Sequence, residues 1–223
     1  MTEDRQTPQV KICGLTRVSE AQACVALGAS AIGCVFYPPS PRNLTLVQAR
    51  RICEALPPEV VSVGVFANAT YDHIVQTVSF CSLKAVQLHG QEPPGLLLKL
   101  RRIELPVFKA LFSARQPFLS DAGRYQASAF LVEFGQGRLP GGNAEQWDWR
   151  EAHNMSRNYP LILAGGLAPE NVAAAISSSE PDAVDVSSGV ETSPGRKDLG
   201  RVKTFIEEVA RCRIPRNIRR IFQ

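Results

Sequence analysis

The sequence predicts a single closed (β/α)8 barrel, and three observations carry that expectation. Eight short apolar, β-branched runs alternate with amphipathic segments along the chain. These runs are almost continuously apolar, the pattern of parallel strands buried on both faces. The length, 223 residues, is close to the roughly 250 usual for one such barrel, with compact members near ~200. No Ser/Gly/Pro-rich linker, low-complexity block or internal repeat divides the chain. One domain over 1–223 is expected, with an N-terminal extension at about 1–9 and a basic tail at about 211–223.

The strand-like runs are Val10–Cys13, Ala31–Phe36, Val60–Phe66, Ala85–Leu88, Val107–Ala110, Ala129–Glu133, Leu161–Ala164 and Ala183–Val186. The first helix is read at Ser19–Leu27, where Ala21, Cys24, Val25 and Leu27 keep a helical spacing. Thr45 caps Leu46–Leu56, and Pro57-Pro58 ends it. Asp72–Cys81, Pro94–Ile103, Trp147–Met155, Pro169–Ser178 and Leu199–Val209 follow the same logic, while Ser113–Tyr125 predicts an irregular or short helix. Repeated βα units imply parallel pairing with right-handed crossovers. Eight of them at this length favour closure over an open doubly wound sheet, the alternative that periodicity alone leaves standing.

Composition narrows the function classes. The polar start of the chain has no apolar h-region, so no secretory signal is expected. No stretch approaches the ~18 apolar residues of a membrane span. Six cysteines are scattered without a CxxC pair, which suits reduced thiols in the cytoplasm and argues against a zinc site or any other metal. The net charge of +4 is local: five arginines lie in 211–223, leaving the body at −1. Such a body gives no electrostatic footprint for nucleic acid. The arginine tail itself is read as a solvated, partly disordered end.

Chemically interesting residues follow the strands rather than precede them. Cys13-Gly14, Ser40-Pro41-Arg42, His89-Gly90, Glu133, Gly165-Gly166 and Ser187-Ser188-Gly189 all sit at or just after strand ends. The C-terminal rim is where β/α barrels carry their chemistry, and the loops after strands seven and eight often hold phosphate. Gly165 and Gly166 let bare backbone approach an anion, and Ser188 and Gly189 add hydroxyl and amide donors. The distribution predicts an enzyme acting on a phosphorylated small molecule. On the residues alone, Cys13 is equally readable as one more buried thiol, Arg42 as a surface arginine, Asp185 as a strand-end ion pair and His89 as structural.

The runs Lys11-Ile12-Cys13-Gly14-Leu15-Thr16, Ser40-Pro41-Arg42, Val63-Gly64-Val65-Phe66, Val86-Gln87-Leu88-His89-Gly90, Leu163-Ala164-Gly165-Gly166-Leu167 and Asp185-Val186-Ser187-Ser188-Gly189-Val190-Glu191 resemble the phosphoribosylanthranilate isomerase family. They occur in the family's order, and the resemblance runs from about Val10 to about Val209. It implies a cofactor-free Amadori rearrangement in tryptophan biosynthesis, in a monomer or homodimer. An acid opens the furanose ring of N-(5′-phosphoribosyl)anthranilate to an iminium, and a base removes the C2′ proton. The enolamine then becomes the ketone. By the same resemblance Cys13 is the base and Glu133 the acid. Arg42 grips the anthranilate carboxylate, Asp185 lies near its amine, and His89 lines the pocket. Gly142, Gly165, Gly166, Ser188 and Gly189 hold phosphate. Because only a thiolate acts as base, Cys13 is expected to have its pKa lowered, by Lys11 or a helix terminus.

The sixth segment departs from the family's pattern. Where the family usually reads Leu-Leu-Asp and then Gly-Gly-Thr-Gly, this chain has Leu131-Val132-Glu133 and Gly141-Gly142-Asn143-Ala144, followed by Trp147-Asp148-Trp149. Glutamate keeps the acid but lengthens its arm by about 1.5 Å, and a ~1 Å misplacement costs roughly 10²-fold in rate. Two other readings therefore stand beside the isomerase: a divergent barrel isomerase of another aminosugar phosphate, and a non-catalytic phosphate-ligand binding homologue.

Overall fold

The computed structural model describes residues 6–136 and 146–223. Eight strands, β1 Gln9–Cys13, β2 Ala31–Phe36, β3 Val61–Phe66, β4 Ala85–Leu88, β5 Val107–Phe112, β6 Ala129–Glu133, β7 Leu161–Leu163 and β8 Ala183–Val186, pair in parallel. They close into a barrel in sequence order. Every strand residue is buried, which explains the absence of polar/apolar alternation in the sequence. Closure over the open sheet is settled by the β1–β8 pairing, in which Lys11 lies opposite Asp185 and Ile12 opposite Val186.

The helices form the outer layer. α1 spans Val18–Ala26, α2 Leu46–Glu54, α3 Tyr71–Cys81 and α4 Pro94–Arg101. Thr45 starts α2 with a reciprocal capping box to Gln48, and Thr70 accepts from the amide of His73 to start α3. After β5 a short 3-10 turn at Leu119–Arg124 replaces a full helix, in line with the weak pattern there. Trp147–Met155 differs from its expectation: a 3-10 turn at Trp149–Ala152 passes into α5 His153–Asn158. α6 is Val172–Ser179 and α7 Leu199–Arg211, the latter capped by Asp198 through the amides of Gly200 and Arg201. A small antiparallel hairpin not foreseen from sequence, β9 Glu191–Ser193 with β10 Arg196–Lys197, pairs Glu191 with Lys197.

Two apolar layers result. Between strands and helices lies one continuous core that includes Ile12, Ile32, Phe66, Leu111, Val132 and Phe205. Inside the ring, a narrower cluster joins small residues (Ala31, Ala85, Ala129, Ala183) to the ring of Phe108. Small side chains around the phenylalanines of this cluster fill the interior without widening it.

The tail corrects its sequence reading. Its polar residues meet solvent but its apolar ones pack on the barrel: Ile214, Ile218 and Phe222 are buried. Phe222 enters the inner cluster and meets Phe108 edge-on, 5.8 Å between centroids. Arg216 donates to Asp182 Oδ1 at 2.7 Å, as does the amide of Arg219, while Asp182 Oδ2 accepts from the amide of Leu161. Gln9 at the start of β1 binds the backbone of Ile221 and Phe222 in both directions. The tail thus closes the N-terminal end of the ring, away from the strand ends that carry the chemistry.

Phe222→Ala should lower the unfolding free energy by about 3 kcal/mol, the usual scale for emptying a buried phenylalanine site, with kcat unchanged. Urea denaturation followed by tryptophan fluorescence measures this. A midpoint equal to wild type would show that the plug contributes nothing.

Candidate active site

Cys13 ends β1 and Lys11 lies two residues earlier, so both side chains face the same way. Gly33 is the β2 partner of Cys13. A Cβ at Gly33 would stand 2.6 Å from Cys13 Sγ and 3.1 Å from Lys11 Nζ, so the missing side chain provides the room both occupy. Lys11 is fully buried and donates to Asp185 Oδ1 at 3.0 Å. Burial works to strip the lysine of its proton, but the Asp185 carboxylate and Cys13 outweigh it and hold its pKa above the ordinary value. Burial likewise pushes the Cys13 thiol up, and the Lys11 ammonium offsets only part of that rise. The expected lowering by Lys11 is therefore present but outweighed.

The turns after β7 and β8 meet. A Cβ at Gly189 would lie 1.9 Å from the carbonyl oxygen of Leu167, and one at Gly165 would lie 3.0 Å from Glu133 Cβ. Gly165 and Gly166 have φ of +82° and +66°, a conformation glycine adopts without steric cost. Three side chains pin the carbonyls of this turn. Trp147 Nε1 donates to Ala164 O at 3.0 Å, Trp149 Nε1 to Gly165 O at 3.2 Å, and Asn171 Nδ2 to Gly166 O at 2.9 Å. In a trans peptide the N–H opposes the C=O, so anchoring these carbonyls turns the amides of Gly165, Gly166 and Leu167 the other way. Arg201 holds the Gly189 carbonyl in the same manner. A concave set of amides of this kind suits an anion.

Across the ring, Glu133 ends β6 and its Oε1 lies 3.1 Å from His89 Nε2. His89 follows β4, and its Nδ1 lies 2.7 Å from Gln87 Nε2. Arg42 is buried, and its guanidinium grips Glu191 with two donors, Nε at 2.9 Å and Nη2 at 2.6 Å. Lys197 also donates to Glu191, at 2.8 Å. Burial would raise the Glu191 pKa, but Arg42 and Lys197 reverse this and hold it below the usual carboxylate range. Burial lowers the pKa of Lys197 despite Glu191 beside it.

Cys13, Arg42, His89, Glu133, Gly165, Gly166, Asp185 and Ser188 line one cleft of about 910 Å³, measured out to its open mouth. Gly189 stands behind it, packed on Leu167. Gly142, with Asn143 and Ala144, lies outside the described residues. Sequence reasoning missed Gly33, Trp147, Trp149 and Asn171, and assigned no role to Gln87 or Glu191. The last two sit inside motifs already singled out. No comparable signal marked Asn171.

The model of the N-(5′phosphoribosyl)anthranilate (PRA) isomerase family matches residues 10–208. An N-(5′-phosphoribosyl)anthranilate isomerase of Desulfatibacillum aliphaticivorans is 48% identical over 214 residues, spanning 96% of this chain and 98% of that protein. The crystal structure of phosphoribosyl anthranilate isomerase from Thermotoga maritima is similar at a TM-score of 0.84 and 40% identity, covering 91% of this chain and 98% of that one. A phosphoribosyl anthranilate isomerase in complex with reduced 1-(o-carboxyphenylamino)-1-deoxyribulose 5-phosphate is similar at a TM-score of 0.79 and 39% identity, with 91% and 98% covered. With its family motifs gathered on one barrel rim, this chain belongs to the N-(5′-phosphoribosyl)anthranilate isomerase family.

Proposed function

We propose that this chain converts N-(5′-phosphoribosyl)anthranilate to its open-chain 1-deoxyribulose phosphate isomer in tryptophan biosynthesis, with Cys13 as base and Glu133 as acid. One observation carries the reading. Round the ring the strands run β6, β7, β8, β1, so the two glycine turns lie between the carboxyl group of Glu133 and the thiol of Cys13. A phosphate held on those turns, by amides of Gly165 and Gly166 with Ser188 and Gly189, would leave the sugar flanked by an acid on one side and a base on the other. That is the arrangement a proton delivery and a proton abstraction at one sugar require.

In this reading Glu133 gives its proton to the ring oxygen, and the C1′–O bond breaks to leave an iminium. Cys13 thiolate takes the C2′ proton, and the electron pair moves to form the enolamine, which gains a proton at C1′ and loses one from the C2′ hydroxyl. Arg42 offers its guanidinium to the anthranilate carboxylate, already oriented by Glu191, while Asp185 stands near the amine with Lys11. We also assign the chain to the cytoplasm. Six unpaired cysteines fit that compartment, and among the described residues no helix is long and apolar enough to cross a membrane.

Loss of substrate fluorescence reports turnover. Glu133→Gln and Cys13→Ala should each lose roughly 10²- to 10⁴-fold in kcat, the usual contribution of a general acid or base, while still binding a product analogue. Turnover in either variant at the wild-type rate would remove that residue's role.

The pH dependence has a definite sign. The active form of Cys13 is its thiolate, and burial holds the thiol above its ordinary value. Hence the ultraviolet thiolate absorbance of Cys13, read as the difference between wild type and Cys13→Ala, should climb only at alkaline pH. Lys11→Met removes a cation that favours the thiolate, so the climb should move to higher pH. An unmoved profile in that variant would separate Lys11 from the base.

A further inference from the structure

Gln87 lies inside the barrel and is almost wholly buried, with Nε2 2.7 Å from His89 Nδ1. Its Oε1 is buried and has no hydrogen-bond partner. An amide N–H can only donate, so in this arrangement Nδ1 is an acceptor. A neutral His89 ring then carries its hydrogen on Nε2 and donates it to Glu133 Oε1 at 3.1 Å. Glu133 Oε1 here is an acceptor, a role that its carboxylate and the carbonyl oxygen of its protonated form both fill.

The ring has little freedom to move away. Lys109 donates to the carbonyls of Leu88 and Gly90, which flank His89, and to Glu92 Oε2. Glu92 in turn accepts from the amide of Gly90. The His89 amide bonds Phe66 O at 2.7 Å, and the Phe112 ring meets the imidazole edge-on at 5.6 Å between centroids. The Gln87 amide group can still turn about its last side-chain bond. Turned by half a rotation, the orphaned Oε1 would accept an N–H from Nδ1.

We propose that Gln87 and His89 form a proton relay that reloads Glu133 between turnovers; this rests on the reading of Glu133 as the acid. Glu133 delivers its proton to the sugar ring oxygen and is left as carboxylate. His89 takes one proton from solvent at the open cleft and becomes an imidazolium, with Nδ1–H held by the turned Gln87 Oε1. It passes the Nε2 proton to Glu133 and is left neutral with its hydrogen on Nδ1. Each turnover draws one proton from water for the sugar ring oxygen and returns one to water from the C2′ hydroxyl, so the isomerisation consumes none. When Gln87 turns back, the ring returns to the Nε2–H form through solvent exchange. The charged groups around this chain are Arg115, whose guanidinium stacks on Phe112 and feels both Glu133 and Glu92, and the Lys109–Glu92 pair beneath the turn. His89 and Gln87 act through Glu133 and are positioning residues.

Two variants test the relay. His89→Gln keeps a hydrogen-bonding group beside Glu133 but cannot carry an exchangeable imidazole proton; Gln87→Met keeps the bulk and removes the amide. Each should lower kcat roughly tenfold to hundredfold with KM within twofold of wild type. Nitrogen-15 NMR reads the ring directly, since the chain has only three histidines and His89→Gln assigns the signal. Free wild-type protein should show the neutral Nε2–H tautomer, and Gln87→Met should lose that preference. A wild-type ring fixed as Nδ1–H overturns the relay, as does wild-type kcat in either variant, a change confined to KM, or an unchanged tautomer in Gln87→Met. Glu133 is intact in both variants, so these outcomes leave its own assignment standing. Wild-type turnover in Glu133→Gln removes the assignment and the relay together.

Discussion

Pairing of β8 with β1 is the contact on which the site depends. In an open sheet the two strands would be edges, and the turns after β7 and β8 would have Glu133 on one side and solvent on the other. Closure brings Lys11 opposite Asp185 in register, and with it Cys13 to the far side of the glycine turns. The same closure makes the buried Lys11–Asp185 pair tolerable. A lone charge there would be prohibitive, and a pair with good geometry repays much of the desolvation. The cation that stabilises a Cys13 thiolate is thus held in place by the interaction that closes the ring.

The two ends of the barrel spend their interior differently. At the N-terminal end the ring is filled by alanines, Phe108 and the tail residue Phe222, which supplies apolar burial and little else. Towards the C-terminal end the interior holds the buried Lys11–Asp185 pair, and two further buried groups brace the rim: Lys109–Glu92, on the helix-facing side of β5, and Arg42–Glu191–Lys197. Buried pairs of this kind are weak sources of stability. Their value here lies in orientation: Lys109 fixes the turn bearing His89, and Glu191 fixes the fork of Arg42. Apolar packing at one end, including the tail, offsets the cost of a polar, preorganised rim at the other.

Much of this was legible in the sequence, for physical reasons that also explain the gaps. Strands buried on both faces write continuous apolar runs, so all eight could be read, and their ends located Cys13, Glu133 and the glycine turns. The tail was misread because its arginines dominate the composition. Ile214, Ile218 and Phe222 recur every four residues, but the segment forms no helix, and its order comes from Asp182 and Gln9, distant in sequence. Glu191 was hidden for a similar reason. Its partner Arg42 lies 149 residues away, and the small hairpin that turns it inward has too little pattern to read. Trp147, Trp149 and Asn171 act through single hydrogen bonds to carbonyls, a role no periodicity records. The lowering of the Cys13 pKa was expected from a neighbouring charge, but burial, which sequence does not measure, outweighs it.

The glutamate at 133 takes on a different meaning in this setting. Its Cβ sits beside Gly165, so the strand end holds the same relation to the glycine turn that a shorter acid would need. What the added methylene changes is reach, about 1.5 Å. The carboxyl group of β6 extends past β5 to meet His89 on the turn after β4. An aspartate with the same backbone would draw that contact back from 3.1 Å, beyond hydrogen-bonding range unless the turn followed, and Lys109 holds the turn. The longer acid therefore couples two strand ends that a shorter one would leave separate. The residue that departs from the family pattern is also the one that brings the proposed acid into contact with the buried Gln87–His89 pair.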